Sequence, residues 1–228
     1  MAWILLLGGT LGHAQLQTNK FQLTGNQASE CLGQTVENED GETLGRLKDL
    51  VVDISTGELK SALISHGGFA GLGAHWKVVR ATAISRATAK RRVLSTTLAR
   101  KEWEKSPSFD SQKLDGTRLS ALHGKTVVDN QGQTLGTISD FLITLPPDKP
   151  VLAVVTRGGV LNHWESFVTP LAGLALSGRT QATVNWPGHT IEAAAWFDVS
   201  AWTERMATNA VFRYAPKPPH QKTKGKKP

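Results

Sequence analysis

Four sets of residues are of types that do chemistry in other proteins. The run Gly67-Gly68-Phe69-Ala70-Gly71-Leu72-Gly73 is rich enough in glycine to present several free backbone N–H groups, and such a turn can cradle an anion. His66 and His75 flank the run and would meet across a hairpin as the first two ligands of a metal site. Asp49 and Asp53 are carboxylates of the kind that work as a general acid and base. Cys31 is the lone thiol. None of these sets is complete. The glycine run neither opens a helix nor carries the Lys-Ser/Thr pair of a phosphate-binding loop. Zinc needs three or four ligands, and no third is near the histidines in sequence. No Gly-x-Ser-x-Gly, Cys-x-x-Cys or His-Glu-x-x-His occurs anywhere. Hydrolase, thiol-redox and zincin chemistry therefore lack their residues. One cysteine permits no intramolecular disulfide, and Cys31 reads as a small buried apolar side chain.

The elements that hold these residues occur twice. Gly33-Gln-Thr-Val-Glu-Asn-Glu-Asp-Gly-Glu-Thr-Leu-Gly-Arg-Leu-Lys-Asp returns 91 positions later, from Gly33 to Gly124, as Gly-Lys-Thr-Val-Val-Asp-Asn-Gln-Gly-Gln-Thr-Leu-Gly-Thr-Ile-Ser-Asp. The offset holds without a gap through Ala62/Ala153 to Gly67-Gly68 and Gly158-Gly159, so strands as well as turns are duplicated. In the first copy Leu44–Ile54 and Leu59–Ser65 predict two strands about the turn Ser55-Thr56-Gly57. Pro146-Pro147-Asp148-Lys149-Pro150 takes that turn in the second copy, since proline cannot donate to a ladder. Asp40-Gly41 and Gln131-Gly132 mark an earlier hairpin in each copy. Short strands at this spacing predict an all-β fold, a small barrel or sandwich in each copy. Leu98–Lys105 then predicts one or two helical turns ended by Pro107, matched by Thr190–Ala195 in the second copy after a three-residue shift. The expected organisation is a polar linker over 15–27, a first domain over 28–115, a second over 116–214 and a disordered basic tail over 215–228.

The duplication sharpens the site readings. Asp49 recurs as Asp140 while Asp53 is replaced by Thr144, which favours a polar face or turn amides over catalysis for these carboxylates. At the constant offset His66 and His75 correspond to Arg157 and Ser166, which favours structural or solvent-exposed histidines over a metal site. The second hairpin keeps Gly158-Gly159 and then diverges to Val160-Leu161-Asn162-His163-Trp164. Phe69 and Leu72 in one hairpin tip, and His163 and Trp164 in the other, are the candidate contact residues, because loops carry binding more often than frameworks do. Of the seven tryptophans, most are expected as core or barrel-end lids, with Trp164 singled out for exposure.

Charge and hydropathy bound the partners. The formal net charge is +7, but with Lys217, Lys222, Lys224, Lys226 and Lys227 of the C-terminal tail set aside the remainder carries +2. Such a body lacks an extended phosphate-binding face. The tail itself suits an anionic lipid, polyanion or nucleic-acid surface, or serves only solubility. Residues 1–14 carry no Lys, Arg, Asp or Glu, and Ala2-Trp3-Ile4-Leu5-Leu6-Leu7 followed by small residues up to Ala14 predicts a secretory signal and an exported, periplasmic or envelope protein. That run is too short to span a bilayer.

Gly33, Asp40-Gly41-Glu42-Thr43-Leu44-Gly45, Asp49-Leu50-Val51-Val52-Asp53 and the hairpin Gly67–Gly73 resemble the PRC-barrel domain, the family of reaction-centre H subunits and of the RimM C-terminal domain. The likeness covers about Ala28–Ile84 and, less fully, Leu119–Leu176. It implies two small PRC-type β-barrels in tandem, used as protein-binding adaptors, with no cofactor and no catalytic residue to transfer. The expected function is a non-enzymatic envelope adaptor, its candidate binding residues Gly67, Gly68, Phe69, Gly71, Leu72, Gly73, His163 and Trp164. The alternative is a cytosolic RNA- or ribosome-associated factor using the basic tail.

Overall fold

The structure is a computed structural model that describes residues 27–67, 75–86, 93–158 and 165–214. In chain order the first repeat holds α1 (Ala28–Cys31), β1 (Thr35–Asn38), β2 (Thr43–Val52), β3 (Leu59–His66), β4 (His75–Arg80), β5 (Ile84–Arg86), β6 (Val93–Thr96) and α2 (Arg100–Lys105). The second holds β7 (Thr117–Arg118), α3 (Leu119–Leu122), β8 (Thr126–Val128), β9 (Thr134–Leu142), β10 (Leu152–Arg157), β11 (Glu165–Pro170), β12 (Leu174–Ser177), β13 (Gln181–Val184), α4 (Thr190–Ala193) and β14 (Phe212–Tyr214).

The strands form two seven-stranded sheets, one centred on each repeat. The first runs β4-β3-β2-β1-β6-β5 with β7 added on β2, and the second runs β12-β13-β8-β9-β10-β11-β14. The hairpins between β1 and β2 and between β8 and β9 turn through Gly41 at φ 78° and Gly132 at φ 80°, backbone that only glycine adopts without steric cost. β1 pairs in parallel with β6 and β8 with β13, which curls each sheet toward a barrel. Neither sheet closes, and a later segment meets one edge of each. β4 takes a bridge from the segment after α2, Lys77 opposite Ser108, and β11 takes β14. The C-terminal extensions thus act as edge covers, which removes a template for edge-to-edge aggregation.

Glycine recurs at Gly45 and Gly136 because the neighbouring strand comes too close for a side chain. A Cβ on Gly136 would lie 2.5 Å from the Thr156 carbonyl oxygen, and one on Gly45 would overlap the Ser65 carbonyl oxygen.

The core runs across both repeats. Leu47, Leu50, Ile64, Ile84 and Leu94 from the first share one buried apolar cluster with Val127, Ile138, Phe141, Val155 and Phe167 from the second. The four-residue helices α1 and α3 belong to it through Ala28 and Cys31, and through Leu119 and Leu122, each pair three residues apart on one helical face. A second cluster lies on the outer face of the second sheet, where Phe197, Trp202 and Tyr214 of the C-terminal extension cover Leu142, Leu152, Val154 and Val168. The Trp202 indole N–H donates to the Pro150 carbonyl at 2.9 Å, so this lid is pinned as well as packed.

Candidate functional site

The two histidines do meet. His66 and His75 stand opposite one another in the β3–β4 ladder with ring centroids 6.0 Å apart, and His66 also meets Trp103 edge-on at 5.7 Å. Lys77 lies 5.9 Å from the same indole and donates to the Glu104 and Ser106 carbonyls at 2.7 and 2.8 Å, so it ties β4 to the end of α2. Burial holds the His66 imidazole below its ordinary pKa, and the charges of Lys77 and His75 push it the same way. The His66 imidazole is thus packed on Trp103 and lacks a third metal-ligand partner among the described residues. Among the described residues no three His, Cys, Asp or Glu side chains are grouped to hold a metal ion.

Of the hairpin residues proposed as contacts, Gly67 is exposed at φ 66° at the end of β3, while Gly68, Phe69, Gly71, Leu72 and Gly73 lie outside the described residues. His163 and Trp164 lie outside them too. What is visible is the base of each hairpin. In the second repeat Arg157 faces Glu165 in the ladder and binds it at 2.7 Å, and the Arg157 hydrogen bond and charge hold the Glu165 carboxyl below its usual range. The partner position of His75 is therefore Glu165 and not Ser166, because the second hairpin is one residue shorter and the constant offset breaks inside it.

Beside His75, at the base of the first hairpin, lies a cavity of about 390 Å³ lined by His75, Trp76, Ser108, Phe109 and Arg118. Trp76 and Phe109 rings are 5.4 Å apart, and the Arg118 guanidinium lies 5.8 Å from the Phe109 ring. The Phe109 N–H donates to the Trp76 carbonyl at 2.8 Å, so the segment after α2 builds one wall and β4 the other. The cleft thus sets two aromatic rings beside the Arg118 guanidinium, residue types that are enriched in protein interfaces. Of the remaining tryptophans, Trp103, Trp186 and Trp202 are buried, whereas Trp196 is 58% exposed and stacks on Arg213 at 4.5 Å. Spacing did not distinguish Trp196 from its buried neighbours.

The duplicated aspartates do satisfy backbone amides, but the amides include those of the other repeat. Asp49, 2% exposed, accepts from the Ser120 N–H at 3.2 Å and from the Ser120 hydroxyl at 2.5 Å, and from its own neighbour's Leu50 N–H at 2.9 Å. Asp140 accepts from the Ser29 N–H at 3.2 Å, the Ser29 hydroxyl at 2.5 Å and the Phe141 N–H at 2.8 Å. Each aspartate thus binds the first turn of the other repeat's short helix. Backbone pairing follows the same pattern, with Arg118 opposite Val51 and Gln27 opposite Leu142. The signal for this was present in the chain, since Ser29 and Ser120 share the 91-residue offset of Asp49 and Asp140 (29 to 120, 49 to 140).

The chain is thus a duplicated β module whose recurring aspartates, Asp49 and Asp140, join the two copies. The chain belongs to the PRC-barrel domain family, whose model matches residues 24–94 and 115–174, more than half of its length and both repeats. That family consists of non-catalytic binding domains, and this chain carries two of them. No curated protein matches the chain. No helix among the described residues is long and apolar enough to cross a membrane.

Proposed function

We propose that this protein is a non-enzymatic adaptor of the cell envelope that binds a protein partner through a cleft on its first PRC repeat, completed by Arg118 of the second. The observation that carries the reading is the cleft of His75, Trp76, Ser108, Phe109 and Arg118 at the base of the glycine hairpin, because it combines aromatic and cationic side chains in a concavity sized for one or two side chains. The glycine hairpin Gly67–Gly73, with Phe69 and Leu72, and the second tip, with His163 and Trp164, would extend that contact. Residues 1–14 support the envelope half of the reading, since their apolar run and small residues have the pattern of an export signal. The unit boundaries proposed are 28–115 and 116–214.

A photo-crosslinking residue at exposed His75, with a second at exposed Arg205 on the other repeat as control, tests the site in cells. The expected result is a discrete crosslinked partner from His75 alone, in the envelope fraction, with the mature chain starting at Gln15. Equal labelling from both positions, or none from His75, would defeat the site assignment.

The five lysines of the tail favour a second reading, a cytosolic RNA- or ribosome-associated factor. It requires an intact Met1 in the cytosol and RNA binding that weakens steeply with salt and vanishes when Pro216–Pro228 is deleted.

A further inference from the structure

The contacts that join the two repeats obey a rule that intramolecular packing does not require. Ser29 reaches Asp140 and Ser120 reaches Asp49; Gln27 pairs with Leu142 and Arg118 pairs with Val51. In every case residue i of one repeat contacts residue j of the other, and the counterpart of i contacts the counterpart of j. This is the definition of an isologous face, the kind that joins two identical subunits across a two-fold axis. The apolar side chains follow it too, with Ala28 and Cys31 of α1 seated as Leu119 and Leu122 of α3 are. The covalent connection joins them only at its end, where Asp115 pairs with Lys60 at 3.0 Å and Thr117 stands opposite Val52. Ser111, Gln112 and Lys113 are exposed, and the ion pair and hydrogen bond of this stretch run only to nearby Asp110.

We propose that the inter-repeat face is a docking surface for a second copy of this chain, the first repeat of one molecule seating on the second repeat of another through the same contacts that join them within one molecule. Pairing of unlike repeats is favoured over pairing of like ones by two contacts that break the symmetry. Arg118 lies 3.9 Å from Asp49, whereas the matching position near Asp140 is the uncharged Gln27. The Gly57 carbonyl in the first repeat accepts from Val151 N–H in the second at 2.8 Å. Within one chain the tether keeps the local concentration of the partner repeat high, so the closed monomer dominates until the tether is cut or the protein is concentrated.

The test uses the full chain with a protease recognition sequence in place of Ser111-Gln112-Lys113. Ordinary and isotopically heavy batches are folded, cleaved, mixed at micromolar concentration and followed by native mass spectrometry. The expected result is that cleaved halves stay paired and that heavy–light pairs of a first and a second repeat accumulate with time. The Ser29→Ala/Ser120→Ala double variant, which removes both hydroxyl contacts from exposed positions, is expected to exchange roughly a hundredfold faster, from two hydrogen bonds to charged groups. Halves that separate on cleavage, halves that stay paired but never exchange, or a double variant that exchanges at the original rate would each overturn the proposal. Pairs of like halves would overturn the assignment of the unlike repeat as partner.

Discussion

Replacing Ser120 by alanine tests whether the buried aspartate joins the repeats. The substitution removes one hydroxyl that donates at 2.5 Å to Asp49, a carboxylate that is 2% exposed, and leaves the Ser120 and Leu50 N–H bonds in place. A hydrogen bond to a charged group is worth about 1.5–3 kcal/mol. The middle of that range, about 2 kcal/mol, corresponds to a fall in Tm of about 4–8 °C for a chain of this size. Ser29→Ala removes the equivalent bond to Asp140, which is only half-buried and keeps more of its hydration, so about half the loss is expected there. Urea unfolding of the full chain, followed by both circular dichroism and tryptophan fluorescence, reads the two costs. Because one apolar cluster spans both repeats, the two probes should report a single coincident transition in the wild type. Adding Asp49→Ala to Ser120→Ala completes a double-mutant cycle, with an expected coupling of at least about 1 kcal/mol. A Ser120→Ala cost within about 0.5 kcal/mol of zero, the level of an ordinary surface change, would refute the reasoning. So would equal costs at Ser29 and Ser120.

Two further outcomes are expected. Gly136→Ala should destabilise by about 1–3 kcal/mol, the scale of overpacking, because the new methyl would lie 2.5 Å from the Thr156 carbonyl oxygen at a φ of +153°; Gly45→Ala should cost at least as much, and thermal unfolding of each variant checks both. Tyr214 is the single tyrosine, and burial pushes its hydroxyl up to about 12, with Asp140 and Glu30 pushing the same way. The folded chain therefore holds the proton more tightly than the unfolded one, so stability is intact below about pH 10 and declines as pH rises toward 12. Tyrosinate absorbance in an alkaline titration should show a midpoint near 12 while the chain is folded, and a midpoint near 10 without unfolding would show that Tyr214 is not buried.

The duplication, the turns and the strand positions were legible in the chain because they rest on local rules. Gly41 and Gly132 mark turns that need positive φ, and the apolar runs around Leu50 and Phe141 mark strands, whatever the rest of the molecule does. The helices after each sheet were legible for the same reason, as α2 and α4 fall within the predicted segments. The resemblance to the PRC-barrel family rests on those same turns and runs, and the family match over both repeats agrees with it.

What needed the tertiary structure was every property that depends on which surfaces meet. Asp49 and Asp140 stand on strands, where alternation alone assigns an aspartate to the polar face. Only the docking of α3 on β2 and of α1 on β9 makes them acceptors for Ser120 and Ser29. The edge covers have the same origin, since Ser108 and β14 are distant in sequence from the strands they meet. Trp202 and Trp196 are both C-terminal aromatics, yet one is 2% and the other 58% exposed, because only Trp202 reaches the outer face of the second sheet. Local conformation is written in residue type and spacing. Burial and partnership are set by long-range packing, which one-dimensional spacing does not encode.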